Sequence, residues 1–375
     1  MSLLSHSLSR KRNNFDLVRL VAASAVVYAH SIIVQKPDGH IDFVTAWLGF
    51  DYSGSLGVFA FFLLSGLLVT ASYERQRSPA RYLILRAARI WPAVAVASLF
   101  AIFVMGPLLT NLPWRQYFAS SATWANLDSF STVTLGRRIL LPGVFSDNPV
   151  PDAMFAPLWT LPVEVRYYVV VLVAGMLGLL KSPRGMVVAL LIGLAPLLVR
   201  PYFAPHFHLA WRHLAPLAQG GYAFHPELVF LSGMLLYALR EHVDINGWTA
   251  TALCAVYLCM RGTPLAHALF YPAFAYGVLW IGTTPLLHRF APRNDYSFGI
   301  YIYGFPVQQT VAHFWPALGH LVALLIATPF VVALAWLSWH GIEKPALDWT
   351  RARLARTRVR AQQAAADGMP EPAAR

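Results

Sequence analysis

The chain is short of charge and of cysteine. Aspartate, glutamate, lysine and arginine make up 12% of its 375 residues, whereas about a quarter of a soluble domain is charged. Its two cysteines, Cys254 and Cys259, lie in one apolar stretch and give no sign of a disulfide framework. These shortages exclude an ordinary soluble domain and a disulfide-stabilised secreted scaffold.

Acidic residues are scarcer than basic ones, with 17 Asp and Glu against 29 Lys and Arg and a net charge of +12. In a soluble protein this excess would point to nucleic acid. Hydrophobic residues make up 57% of the chain, however, and recur in long apolar runs. We therefore assign the positive charge to cytoplasmic loops and anionic lipid headgroups, and we expect membrane lipid rather than nucleic acid as a partner.

The long apolar runs predict an all-α, polytopic membrane bundle of about ten spans. With the N-terminus inside, most lysines and arginines fall in segments placed in the cytoplasm, which is the usual bias, so both termini are predicted to be cytoplasmic. Residues 1–345 are predicted to form an integral-membrane domain. Residues 346–375 are predicted to form a basic, disordered tail that starts as a juxtamembrane helix. The predicted spans are residues 15–35, 54–73, 90–110, 158–180, 185–204, 222–240, 247–261, 266–286, 296–315 and 318–340.

The first span carries Arg19 near one end and His30 near the other, which is unusual because titratable groups in lipid usually face a protein-lined or wet cavity. The two residues are about three helical turns apart, so they share one face and lie roughly 16 Å apart along the axis. A cation at one end and a base at the other would suit an elongated anionic cofactor. Alternatively, Arg19 snorkels to lipid phosphates and His30 is an interfacial residue.

Arg86 and Arg89 precede the third predicted span. Residues three apart on a helix point the same way, so these two guanidinium groups could bind one phosphate group together. The alternative is ordinary positive-inside charge. The predicted topology places Arg19 at the same cytoplasmic face, which favours a phosphate site.

Glu164 lies near the outer start of the fourth predicted span, at a depth similar to that of His30. A carboxylate near an imidazole fixes its tautomer and stabilises the imidazolium, as in acyl-transfer dyads. We therefore predict that His30 and Glu164 are catalytic. The alternative is that Glu164 pairs with Arg166 or with backbone, although residues two apart on a helix do not face each other.

The longest predicted outer segment, residues 111–157, contains tryptophans, acids and several Ser, Thr and Asn residues. A loop of this length is uncommon unless it caps a site. Its tryptophans could stack on sugars beside the carboxylates, or anchor the chain at the membrane interface.

Six short motifs together resemble the membrane acyltransferase-3 family, the bacterial O-acyltransferases that modify surface and exported polysaccharides. The resemblance covers residues 13–345, and the motifs occur in the family's order. They are Phe15-Asp16-x-x-Arg19 with His30, Gly57-Val58-Phe59-x-Phe61-Phe62-x-Leu64-Ser65-Gly66, Arg86-x-x-Arg89-Ile90-x-Pro92, Leu158-Trp159-Thr160-Leu161-x-Val163-Glu164-x-x-Tyr167-Tyr168, Ser297-Phe298-Gly299-Ile300-Tyr301 and Glu343-x-Pro345.

The resemblance implies acyl transfer, acetyl by default, from a cytoplasmic acyl-CoA such as acetyl-CoA to a sugar hydroxyl, in the bacterial inner membrane and without a metal. It implies a catalytic role for His30. Donor binding falls on Arg19, Arg86 and Arg89, and we assign substrate binding to two further residues of the matching motifs, Trp159 and Tyr301. We expect a passage that leads from a basic cytoplasmic mouth to the imidazole.

One departure from the family pattern is Gly304, where a histidine is usual. This puts in doubt any role of that helix in proton handling or acceptor choice. A transporter or flippase of a lipid-linked or acylated substrate is the alternative function, and an inactive family member serving as a scaffold is a third. The sequence leaves the acyl group, the sugar or glycolipid acceptor and the oligomeric state open.

Overall fold

The computed structural model describes residues 2–8, 13–35, 40–76, 78–203 and 225–366, which are mostly helical. Two short strands, β1 (Ser2–Leu3) and β2 (Asp244–Ile245), pair antiparallel. The α-helices of these ranges are α1 Leu4–Ser7, α2 Phe15–Val34, α3 Phe43–Leu48, α4 Ser53–Gln76, α5 Pro79–Phe100, α6 Gly106–Leu109, α7 Trp114–Ala119, α8 Ser121–Trp124, α9 Ser129–Leu135, α10 Thr160–Met176, α11 Pro183–Phe203, α12 Pro226–Ala238, α13 Gly247–Cys259, α14 Ala266–Thr283, α15 Ser297–Phe314, α16 His320–Ser338 and α17 Lys344–Ala366.

Five helical stretches are long and apolar enough to cross a membrane, so the helical membrane class is confirmed. The helices α12 and α13 have 13 residues each and are short for a span, since about 20 residues cross the hydrocarbon core. The predicted residues 204 and 222–224 lie outside the described ranges. Ten spans and cytoplasmic termini therefore stay predictions. The five stretches are Phe15–Val34, Ser53–Gln76, Pro79–Leu109, Ala156–Met176 and His320–Thr357.

The third span begins earlier than the sequence predicted. Helix α5 starts at Pro79 rather than near residue 90, because Ser78 caps its N-terminus. The Ser78 hydroxyl accepts a hydrogen bond from the backbone N–H of Arg81 at 3.5 Å. Proline is tolerated at the first helical position because the N–H that it lacks has no helical partner there. As a result, Arg86 and Arg89 lie on the helix itself, with the three-residue spacing that places both on one face.

The last helix continues past its predicted end. A π-helical turn, Trp339–Glu343, joins α16 directly to α17, and Pro345 lies in the first turn of α17, where the missing N–H is tolerated. A helix therefore occupies residues 346–366, at the start of the tail, where a juxtamembrane helix was predicted; the disorder of the tail stays a prediction. Residues 367–375 lie outside the described ranges.

The predicted outer segment, residues 111–157, folds into short helices that pack on α5 and on the π-helical turn Ala101–Met105 that continues it. The Tyr117 hydroxyl donates a hydrogen bond to the carbonyl of Ile102 at 3.0 Å. The ring of Phe130 stacks on that of Trp91, with centroids 6.2 Å apart. This segment is thus a packed part of the domain rather than a loose cap.

Close helix packing at small residues brings the central elements together. At Gly66 of α4, an added Cβ would clash with the backbone carbonyl of Phe230 in α12. Gly66 therefore serves helix packing, which needs small residues where backbones approach closely. Helix α4 also packs along α2, and α2 packs along α15, so the first span contacts the helices that carry the candidate site.

Candidate active site

A cavity of about 470 Å³ opens between α2, α4, α5, α10 and α15, with α17 at its edge. Its lining is rich in guanidinium groups, and the exposed side chains of Arg75 and Arg351 lie at its mouth. The surplus of positive charge suits a polyanionic ligand. The five arginines and three carboxylates that line it are Arg19, Arg75, Arg86, Arg89, Arg351, Asp16, Glu164 and Asp295.

Arg89 and Arg19 are held in place by buried carboxylates. A guanidinium nitrogen of Arg89 lies 2.6 Å from Oδ2 of Asp295, and another lies 3.2 Å from Oε2 of Glu343. Arg19 lies 3.5 Å from the same Asp295 oxygen and 3.9 Å from Asp16. The structure therefore brings together two of the predicted donor-binding residues, and the carboxylates of the protein neutralise much of their charge.

Asp295 is a site residue that sequence reasoning missed. It lies just before α15, is 4% exposed, and accepts a hydrogen bond from the Ser297 hydroxyl at 2.5 Å. Burial alone would raise the pKa of Asp295, but the guanidinium groups of Arg89 and then Arg19, with the hydrogen bonds from Ser297, outweigh burial and hold the pKa below its ordinary value. Asp295 is therefore an anion that positions both arginines.

Arg86 differs from its neighbour one turn away. Its guanidinium lies over the ring of Tyr168, 5.8 Å from the ring centroid. Its Nε atom is buried and has no hydrogen-bond partner among the described residues. A buried guanidinium N–H without an acceptor is costly. Arg86 is therefore the cavity arginine with the clearest unmet demand for an anionic or polar ligand.

Glu164 does not form the predicted dyad with His30. Its Oε1 atom accepts hydrogen bonds from the Tyr168 hydroxyl at 2.5 Å and the Ser65 hydroxyl at 3.1 Å. The weak alternative of a pair with Arg166 is not formed either, because the Nε of Arg166 donates to the carbonyl of Pro162. Glu164 and His30 were predicted to pair because they lie at similar depths in their helices. Glu164 instead points into the cavity between α4 and α10.

Tyr301, a predicted substrate-binding residue, closes the inner end of the cavity. Its hydroxyl donates a hydrogen bond to the carbonyl of Pro157 at 2.8 Å and lies 2.9 Å from Oγ1 of Thr160. Its ring packs edge-on against Phe61, with centroids 5.9 Å apart. Three side chains from three helices therefore form a closed floor.

His30 lies beyond this floor and does not line the cavity. Its imidazole packs edge-on against Phe305, with ring centroids 5.1 Å apart. Phe305 follows Tyr301 by one turn of α15, which is roughly 6 Å along the helix. The cavity lining thus ends at Tyr301 without reaching His30, and the passage from the basic mouth to the imidazole stays a prediction.

The remaining two positions are explained by packing. Trp159 is half-buried against the core and does not line the cavity, although its neighbour Thr160 does. At Gly304, an added Cβ would lie 2.6 Å from Cγ2 of Val27 in α2. Real Cβ contacts of that length essentially never occur, so the usual family histidine has no room while α2 and α15 approach this closely.

These features define a class of protein: a helical membrane protein with a basic cavity and a half-buried histidine beyond its floor. The acyltransferase domain family matches residues 12–340, nearly the whole chain, and the chain belongs to that family. The protein is therefore an acyltransferase, and the family resemblance of its motifs is confirmed.

Two relatives align over nearly the full length. The chain is 28% identical to the O-acetyl transferase of Shigella phage Sf6 over 351 residues, which cover 92% of this chain and 98% of the relative. It is also 28% identical to Nodulation protein 10 of Rhizobium leguminosarum bv. viciae over 374 residues, which cover 93% and 96% of the two chains. No solved structure matches the chain.

Proposed function

We propose that this protein is a multi-pass O-acetyltransferase of the bacterial inner membrane. It transfers the acetyl group of cytoplasmic acetyl-CoA to a hydroxyl of a sugar in a surface or exported polysaccharide or glycolipid. The acetyl group and the oxygen acceptor are inferred from the name of the Shigella phage relative, an O-acetyl transferase. The donor is proposed from the charge of the cavity.

The observation that carries the proposal is the polarity of the cavity along its length. Two exposed arginines, Arg75 and Arg351, lie at its mouth, and the side chains that contact Tyr301 are either apolar or carry a hydroxyl group, as Phe61 and Thr160 show. An acyl-CoA has the same order of features, with phosphates at one end and a thioester at the other. We propose that Arg86 binds phosphate directly, whereas Arg19 and Arg89 contribute positive potential from fixed positions.

The cavity wall between the arginines and Tyr301 also supports a donor bound with its phosphates at the arginines and its thioester near Tyr301. Glu164 and the hydroxyl groups of Ser65 and Tyr168 line the cavity between the arginines and the floor. The pantetheine arm of the donor carries two amides, which need hydrogen-bond partners when buried. We propose that this part of the wall contacts the arm, so Glu164 serves donor binding rather than the orientation of His30.

For transfer, the Tyr301 ring has to turn aside so that the thioester reaches His30. The imidazole then either removes the proton of the acceptor hydroxyl or takes the acetyl group itself and passes it on. In the first route, the hydroxyl oxygen attacks the thioester carbonyl, the carbon–sulfur bond breaks, and the proton leaves with the CoA thiol. Closing the floor between turnovers would keep water from the thioester.

The test is mass spectrometry of surface glycans from a deletion strain that carries the wild-type or the His30→Ala gene. General-base catalysis typically contributes about 10²–10⁴-fold, so the wild type should restore an acetyl increment and His30→Ala should not, at equal protein levels in the membrane. The matched control is His313→Ala, whose ring packs on Phe145 and Phe314 away from the cavity lining. Normal acetylation by His30→Ala would refute the proposal.

A further inference from the structure

Two buried polar atoms at the contact between α2 and α15 have no hydrogen-bond partner among the described residues: Nδ1 of His30 and Oε1 of Gln308. Gln308 is 3% exposed, and its amide nitrogen donates to the carbonyl of Val27 at 2.7 Å. A carbonyl oxygen only accepts, so this bond fixes which end of the amide is nitrogen. The free end of the Gln308 amide is therefore an acceptor.

The two side chains contact each other's helices at neighbouring positions. Gln308 bonds to Val27, three residues before His30, and the His30 ring packs on Phe305, three residues before Gln308. Residues three apart share a helix face. The close approach at Gly304 presses this face of α15 against Val27, which brings the Gln308 amide within reach of α2.

The two atoms are also chemically complementary. Imidazole Nδ1 donates when it carries the ring proton, and the amide oxygen accepts. Leaving either one buried and unpaired is unfavourable. A hydrogen bond between them, made by a turn of the ring when the donor enters, would satisfy both at once and would leave Nε2 unprotonated.

We propose that Gln308 is the positioning residue of His30. Its Oε1 atom accepts the Nδ1–H hydrogen bond in the donor-bound state, which selects the tautomer with a bare Nε2. Nε2 then takes the proton of the acceptor hydroxyl, the oxygen forms the ester bond, the carbon–sulfur bond breaks, and the proton passes to the CoA thiolate. This assignment rests on the proposed function and gives Gln308 the part that the sequence had predicted for Glu164.

The kinetic test compares Gln308→Leu with Gln308→Glu in purified protein. The leucine variant lacks the acceptor oxygen, whereas the glutamate variant keeps it but in its ionised form loses the bond to Val27. We expect Gln308→Leu to lower kcat by about 10–100-fold, the effect typical of lost partners of metal-bound histidines, with the KM for acetyl-CoA unchanged. Gln308→Glu keeps the acceptor oxygen and should therefore keep kcat close to that of the wild type.

A matched control comes from the same helix. The Thr310 hydroxyl bonds to the carbonyl of Pro306 in its own helix, so Thr310→Val should keep full kcat. Equal losses in the leucine and glutamate variants would mean that Gln308 acts through its bond to Val27, and would overturn the inference. Full kcat in Gln308→Leu would overturn it as well.

A second measurement does not depend on turnover. In wild-type protein labelled with ¹⁵N-histidine and saturated with CoA, the His30 signals, identified by their loss in His30→Ala, should show a protonated Nδ1 and a bare Nε2. The opposite tautomer would overturn the inference. If His30→Ala retains acetyl transfer, the proposed function itself is refuted. If His30→Ala is inactive but His30 is protonated at Nε2, only the assignment of Gln308 is refuted.

Discussion

The cavity arginines differ in their partners, so their loss should have different consequences. Arg86→Gln should weaken donor binding, because its guanidinium has no ion-pair partner among the described residues and its Nε is unpaired. Arg89→Gln should weaken the fold, because Arg89 is bound to Asp295 and Glu343. The same chemical change one helical turn apart thus tests which arginine binds the donor.

The magnitudes follow from the contacts. Hydrogen bonds to charged groups are worth about 1.5–3 kcal/mol, and about 1.4 kcal/mol is tenfold in affinity. Arg86→Gln should therefore raise the KM for acetyl-CoA by about 10–100-fold. The Asp295 and Glu343 side chains are 6% and 1% exposed, and removing one partner from a buried pair costs about 3–5 kcal/mol. Arg89→Gln should therefore lower Tm by several degrees.

The assay measures initial rates of CoA release against acetyl-CoA concentration, together with Tm by intrinsic fluorescence in nanodiscs. Arg81→Gln is the matched control on the same helix, because Arg81 donates to the carbonyl of Leu354 and does not line the cavity. It should keep the wild-type KM. An unchanged KM in Arg86→Gln, with a raised KM and an unchanged Tm in Arg89→Gln, would refute the division of roles.

Three further predictions concern the floor, Trp159 and the buried anion. Tyr301→Phe removes the hydroxyl that holds the floor closed, so hydrolysis of acetyl-CoA without an acceptor should rise several-fold; an unchanged rate of CoA release would contradict this. Trp159→Ala should leave the donor KM unchanged, because Trp159 does not line the cavity; a raised KM would contradict this. Because the pKa of Asp295 is held low, ionised Asp295 stabilises the folded state at pH values above its ordinary pKa, near 3.9, and this stabilisation is lost as the pH falls below it. Asp295→Asn should therefore have a lower Tm at neutral pH and a smaller fall in Tm on acidification. An unchanged acid profile would contradict this.

Helix positions and the gathering of the arginines could be predicted from the sequence. Long apolar runs identify α2, α4 and α10, and the spacing and topology bring Arg19, Arg86 and Arg89 into one cavity. The start of α5 was placed too late because charges were assumed to lie outside a span. The Ser78 cap and Pro79, which mark the true start, were the signal that could have found it.

Partners across helices could not be predicted. Asp295 lies 276 residues from Arg19 in sequence, and a single acid before an apolar run carries no sign of the arginines that it binds. The pairing of Glu164 with His30 was wrong because a depth estimate does not give the direction in which a side chain points. The closed floor at Tyr301 was missed for the same reason, since it depends on hydrogen bonds among three separated segments.

The most direct measurement is a cryo-EM map of the protein in nanodiscs with CoA bound. The account predicts density in the cavity between the helices, with phosphate at Arg86, the Tyr301 ring displaced, and the thiol end directed towards His30. A cavity that stays empty at saturating CoA, or a thiol that points out of the mouth past Arg351, would contradict it.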